Sequence, residues 1–208
     1  MSELAPAPRR ESSEDRRQAI AEAALALVAE HGFEGLRTRA IAERVGINIA
    51  TLHYHVPTKA ALSGLVADAL SARFRAQPIA RPRDHLPPAA QLEHEFYDFL
   101  EMHTEHPELL VVISELIGRA QRDPDVREAV QPILYKWHGM IAAILAAGRA
   151  DGSFRRDLDP DAGATLVIGA LKQFSRQPDR SLATYHRLCA ELRRALGAPP
   201  MPQQDLPS

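Results

Sequence analysis

The sequence predicts an all-α protein, on three observations. Apolar residues recur at helical spacing almost from end to end, and nowhere do β-branched or aromatic residues alternate cleanly with polar ones. Pro107, Pro124 and Pro160 stand where helices would begin, positions at which the missing N–H has no intrahelical partner to lose. Gly32, Gly46 and the proline-rich run 77–88 supply the stops between periodic segments. With 208 residues, 45% of them hydrophobic, the chain can bury a real core as one large domain or as a small one joined to a larger one.

Composition excludes several classes of protein. No window approaches the ~18 consecutive apolar residues of a membrane span, so no membrane association is expected. Met1 to Asp15 lacks the apolar stretch of a signal peptide, which predicts a cytoplasmic protein. The single cysteine, Cys189, excludes an internal disulfide framework and is read as packed rather than nucleophilic. No G-x-S-x-G, P-loop or G-x-G-x-x-G is present, so an enzyme is not expected, and neither is a cofactor. The net charge is −2, yet residues 16–59 hold six Lys/Arg against four Asp/Glu, a weak basic bias.

Residues 1–13 are rich in Pro, Ser and charge and read as a disordered tail, as do residues 198–208. The first helix should run from Ser13 or Glu14 to His31, with Ser13 as N-cap and Ile20, Ala23, Ala24, Leu27 and Val28 on its apolar face. A short helix follows over about Thr38–Val45, then another after Asn48 that ends near Val56. A fourth begins at Thr58 and runs to about Arg75. The stretch 77–88, with its four prolines, is the strongest boundary. Beyond it the periodicity predicts helices at 89–105, 107–121, 124–150, 160–176 and 181–197, with a loop at 151–159. Residues 109–117, LLVVISELI, are apolar nearly all round and should be buried.

The chemistry concentrates in residues 36–56. Ile41, Ala42, Val45, Ile47 and Leu52 are spaced to close a small core between two short helices and the first one, the geometry of a helix-turn-helix. If Leu52 faces inward, then Ile49, Ala50, Thr51, His53, Tyr54 and His55 cannot all be buried. Such a face, with no acidic residue, suits the major groove of a duplex: hydroxyls reach phosphates or bases, and Ile49 and Ala50 can touch thymine methyl groups. Thr58 and Lys59, at a helix start, can hold a phosphate oxygen, and Arg39 is the best candidate for a guanine or phosphate. A packed helical corner with exposed polar groups fits the same pattern less well.

The run GFEGLRTRAIAERVGINIATLHYHVPTKAAL, residues 32–62, resembles the DNA-binding module of the tetracycline-repressor (TetR) family of transcriptional regulators. Gly32, Phe33, Thr38, Arg39, Ile41, Ala42, Gly46, Thr51, Leu52, His55, Lys59 and Leu62 carry the likeness, with valine at 56 where most members have phenylalanine. The resemblance implies that Thr38, Arg39, Asn48, Ile49, Ala50, Thr51, His53, Tyr54, His55 and Lys59 face operator DNA. At 53 the family usually has tyrosine. A histidine there donates to phosphate best when protonated, so operator affinity should fall as pH rises.

The resemblance further implies a homodimer with a variable ligand-binding domain. The expected organisation is a helix-turn-helix DNA-binding domain at 14–60 and a larger helical ligand-binding and dimerisation domain at 61–197. The small residues of the eighth helix and the apolar face of the last suggest an interface of Ala162, Leu166, Gly169, Ala170, Leu182, Tyr185, Leu188 and Leu192. Candidate pocket residues are Phe96, Phe99, His103, Ser114, Trp137, His138 and Gln173. His103 and His106 lie three apart, but Pro107 interrupts the helix, so no metal site is expected. The function expected is a repressor on a palindromic operator, released by a small-molecule effector. The alternative is a DNA-binding regulator, activating or constitutive, controlled by a protein partner.

Overall fold

The computed structural model describes residues 12–199. No strand occurs among them. The helices are α1 (Ser13–His31), α2 (Thr38–Val45), α3 (Ile49–His55), α4 (Lys59–Ala80), α5 (Pro88–Glu105), α6 (Pro107–Ala120), α7 (Pro124–Asp151), α8 (Pro160–Phe174) and α9 (Leu182–Leu196), with a 3-10 turn at Phe33–Gly35. The expected tails lie outside the described residues, apart from Ser12 and Ser13, which open α1, and Ala198 and Pro199.

The N-cap of α1 is Ser12, not Ser13. Its hydroxyl accepts the Asp15 N–H at 3.0 Å, and the Asp15 carboxylate takes the Ser12 N–H at 3.0 Å. This reciprocal pair needs an acid three residues beyond the cap, which Ser12 has and Ser13 lacks. Asn48 caps α3 through the Thr51 N–H (2.7 Å), and Thr58 caps α4 through the Ala61 N–H (3.0 Å). Between α2 and α3, Gly46 takes a left-handed φ of 73°, which keeps the turn tight.

Two expectations about helix four and the following boundary need correcting. α4 runs beyond Arg75 to Ala80 with Pro78 inside it. The proline removes only its own N–H from the helix, and the turn closes past it, the Gln77 carbonyl accepting the Arg81 N–H at 2.9 Å. The connection is therefore short, residues 81–87, and it is pinned by charge. Arg81 pairs with Asp98 and Glu101, while Arg83 pairs with Glu95 and Asp98, all three acids on α5.

Two apolar cores organise the molecule. The first joins α1 (Ile20, Ala24, Val28), α2 (Ile41, Ala42), α3 (Leu52) and α4 (Leu62, Val66, Leu70) to Leu109, Val112 and Leu116 of α6 and to Val126 and Val130 of α7. The second joins Leu92, Phe96 and Phe99 of α5 to Ile141 and Leu145 of α7, and to the inner faces of α8 and α9. Leu110 packs against both. The short helices live on borrowed packing. In α3 only Leu52 is buried, worth roughly 1.5–3 kcal/mol, so α1 and α2 must hold that helix in place.

α6 is not buried all round as its composition suggested. Leu109, Val112 and Leu116 are in the core, Leu110, Ile113 and Ile117 are half-buried, and Val111 is exposed. The loop after α7 is a loop, but it is also core: Phe154 and Leu158 are each 2% exposed. The Phe154 ring lies where a side chain at Gly148 would stand, which explains a glycine deep in α7.

Candidate nucleic-acid interface and internal cavity

α3 presents one face inward and the rest outward. Ile49, Ala50, His53 and Tyr54 are exposed, Tyr54 at 82%, while Thr51 and His55 are half-buried. The Tyr54 ring stands edge-on to His55 at 5.1 Å. No carboxylate bonds to any of these side chains among the described residues. Asn48, Thr38 and Arg39 are exposed beside them, with Arg39 lightly tied to Glu43 at 3.3 Å along α2. Lys59 also has partners within the molecule. Its ammonium sits 3.5 Å from Asp123 and 5.5 Å from the centre of the Phe33 ring, so the molecule's body already holds it, though its side chain stays 57% exposed.

Two further cations flank this face, and spacing within residues 36–59 gave no hint of the first. Arg17 of α1 donates to the His55 carbonyl at 3.3 Å, satisfying an end carbonyl of α3 and placing a guanidinium beside it. Arg37, just before α2, is exposed and donates to the Glu34 carbonyl at 3.2 Å. The turn between α1 and α2 packs on α1 and is also fastened to α6. The Phe33 N–H donates to Glu115 at 3.0 Å, and Arg119 stacks on the Phe33 ring while pairing with Glu34 (3.6 Å) and Asp123 (3.2 Å).

A cavity of about 190 Å³ lies along the seam between the two cores. α4 contributes Phe74 and Gln77, α5 Asp98, Phe99 and Met102, α6 Ile113, Ser114 and Ile117, α7 Ile133, Trp137 and Met140, and α8 Lys172, with Ser175 just after it. Of the expected pocket residues, Phe99, Ser114 and Trp137 line it. The other four do not. Phe96 is packed into the second core; His103 lies against the Phe174 ring at 5.1 Å; the His138 ring nitrogen is 3.2 Å from the Asp161 carbonyl on α8; and Gln173 points to solvent. Helical spacing showed which faces turn inward but not where packing stops short.

Sequence reading also missed the polar wall of this cavity. Arg83, Glu95 and Asp98 are buried there as one ion-pair cluster. Burial and the neighbouring Asp98 raise the Glu95 carboxyl to about 7 despite Arg83, and the Trp137 indole N–H donates to it. The signal was present as the alternation R-P-R in the proline-rich run facing E-x-x-D-x-x-E at helical spacing.

The expected dimer residues divide. Ala162, Leu166, Gly169 and Leu182 are exposed, Leu166 at 48% and Leu182 at 54%, and Ala170 and Leu188 are half-buried. Tyr185 and Leu192 are not on that surface: they lie inside the second core, 2% and 4% exposed. One apolar stripe along α9 serves the protomer's own packing, and its neighbours face out. Among the described residues, no three His, Cys, Asp or Glu side chains group to hold a metal ion, and no helix is long and apolar enough to cross a membrane.

Comparison with known proteins bears on both regions. The family model of bacterial regulatory proteins of the tetR family matches residues 20–64, and that of the C-terminal part of BetI-type transcriptional repressors matches residues 88–172. Tetracycline repressor protein class D of Escherichia coli is 40% identical over 74 residues, 36% of this chain and 30% of that protein. The match thus spans less than a third of that relative's length. Among solved structures, a TetR transcription regulator from Haloarcula marismortui shares the fold with a TM-score of 0.73 at 24% identity, covering 88% of this chain and 98% of that one. AibR, in complex with isovaleryl coenzyme A and operator DNA, shares it with a TM-score of 0.70 at 21% identity over 88% and 99%.

Proposed function

Because the chain belongs to the tetR family of bacterial regulatory proteins, we propose that it represses transcription as a homodimer on a palindromic operator and is released by a small-molecule effector. The observation that carries this reading is the outward face of α3, which exposes Ile49, Ala50, His53 and Tyr54 with no acidic side chain among them. A solvated helix face ordinarily carries acids and lysines; this one carries the methyl, hydroxyl and imidazole groups that read base edges and phosphates. Arg17, Arg37, Arg39 and Lys59 around it supply the sequence-independent attraction to the backbone. Residues 14–60 form the DNA-binding unit on this reading, and 61–197 bind the effector and dimerise.

Two recognition helices must sit ~34–36 Å apart to read successive turns of one face of the duplex. The exposed side of α8 and α9, with Ala162, Leu166, Gly169 and Leu182, is the surface by which a two-fold axis would set that spacing. The cavity between the cores is where an effector would act. A molecule seated there touches α4 and α6 at once. α4 leads directly into the DNA-binding unit, and α6 grips the α1–α2 turn through Glu115 and Arg119. Binding that favours a different placement of those helices shifts the dimer to a spacing that no longer fits the operator, and operator must weaken effector binding by the same factor.

The test is selection of genomic fragments by the purified chain, followed by footprinting. The expected result is one protected region containing two inverted half-sites, lost on Tyr54→Ala. A chain that retains no duplex at low salt would end the proposal. A monomer in solution at operator-saturating concentration would remove its two-fold part.

A further inference from the structure

The walls of the cavity differ in kind. The side formed by α6 and α7 is apolar, with Ile113, Ile117, Ile133 and Trp137. The opposite end opens into an adjoining cleft, and Arg75, Arg83 and Lys136 line both spaces. Arg83 is 5% exposed; its two terminal nitrogens are taken by Glu95 and Asp98, and its Nε–H has no acceptor among the described residues. An unpaired donor on a buried guanidinium is costly unless something accepts from it. Arg75 donates only to the Ser71 hydroxyl (2.7 Å), and no carboxylate pairs with Lys136 or with Lys172 across the cavity. The acids present face the other way in the balance: Glu95 and Asp98 are occupied by Arg83, and Asp84 alone stands open at the cleft.

We propose that the cavity takes a small amphipathic anion, a single ring or short chain ending in one carboxylate, with its apolar end between α6 and α7 and its carboxylate at the neck lined by Arg83, Arg75 and Lys136. This rests on the reading of the cavity as the effector site and adds the chemical class. The size of the apolar end follows from the volume: about 190 Å³ is somewhat more than the ~150 Å³ that accommodates benzene in an engineered protein cavity, and the adjoining cleft of about 360 Å³ leaves room for the charged end. The charge follows from the unpaired donors. A cation would meet four positive groups against two carboxylates already bonded and Asp84 at the cleft, whereas a carboxylate can accept from Arg75 and Lys136, which no acid of the chain holds. An uncharged molecule of the same shape fills the apolar end but leaves those two cations without an anionic partner.

The experiment is calorimetric titration of the full-length chain with benzoate, 4-phenylbutyrate and octanoate, each beside the alcohol and the amine of the same skeleton. At least one acid is expected to bind about tenfold or more tightly than its alcohol, the amine weakest, consistent with one charge-assisted hydrogen bond. The double variant Arg75→Gln/Lys136→Gln, at two exposed positions that leave the Arg83 cluster intact, should lose about tenfold for the acid and little for the alcohol. Raising salt should weaken the acid alone. Alcohols or amines binding as well as the acids would overturn the anionic class while leaving the cavity as an effector site. No binding by any of the nine compounds would overturn both.

Discussion

The two cores differ in what they present to the outside. The first spends its packing on holding short helices: α2 and α3 add Ile41, Ala42 and Leu52, and the other side chains of α3 are exposed or half-buried. The second is built from long helices with whole apolar faces, closed by Phe154 and Leu158 from the loop after α7. On the proposed reading, the recognition surface sits on the part of the protein with least burial of its own and the effector cavity where the two cores meet, both places where packing is incomplete and the long helices supply the stability.

That contrast can be broken from the second core outward. Phe154→Ala should cost most, about 3–5 kcal/mol of unfolding free energy, because a fully enclosed ring leaves a cavity that α7 and α8 cannot close over. Chemical denaturation is the measurement, and an effect under about 1 kcal/mol would mean the loop is not core. Tyr54→Ala is the opposite case. Its ring is exposed, so the unfolding midpoint should hold within the scatter of surface substitutions. Operator affinity should nevertheless fall about tenfold to a hundredfold, the value of a lost groove contact of ~1–3 kcal/mol. Asn48→Ala sits between, removing the cap of α3 for about 1 kcal/mol. A loss of DNA affinity larger than its loss of stability would show that Asn48 touches the duplex as well.

The difference between the regions also explains what the sequence disclosed. The outward face of α3 is contiguous in the chain: a glycine turn, a cap and seven residues of helix fix which side chains turn out, and Gly46, Asn48 and Leu52 are all local signals. The cavity is assembled from five helices, and whether Phe96 or Phe99 lines it depends on how α5 rotates against α7, which no local pattern specifies. The proline run misled for a related reason. Prolines near 78 look like a break, but Gln77, Arg81 and Arg83 bond across to α5 and hold the helix and its connection together. Leu192 and Tyr185 read as interface residues because the family resemblance implies that the last two helices dimerise; in the fold the stripe packs on α5 and α8, with the Tyr185 hydroxyl donating to the Phe96 carbonyl and its ring against Phe174.

The last expected effect lies at the seam itself, in the pH dependence of stability. Glu95 is buried beside Asp98, and its carboxyl titrates at about 7 in the folded chain against an ordinary 4.5. Since the folded form holds the proton more tightly, this group's contribution is fully present below 4.5 and is lost as pH rises through 7. His94 and His103 act in the opposite sense: burial, with Arg83 near one and Arg180 near the other, lowers their affinity for a proton, so acid destabilises them. The whole-protein profile mixes these slopes, and only a difference between two chains separates them. Glu95→Gln keeps the side chain's size and removes the titration, so stability of the native chain relative to this variant should decline between pH 5 and 7 and level off above. A difference that stays flat across that range would mean that Arg83 keeps Glu95 ionised throughout. The seam would then hold a permanent ion pair, and the carboxylate of a bound anion would face a second fixed negative charge at the neck.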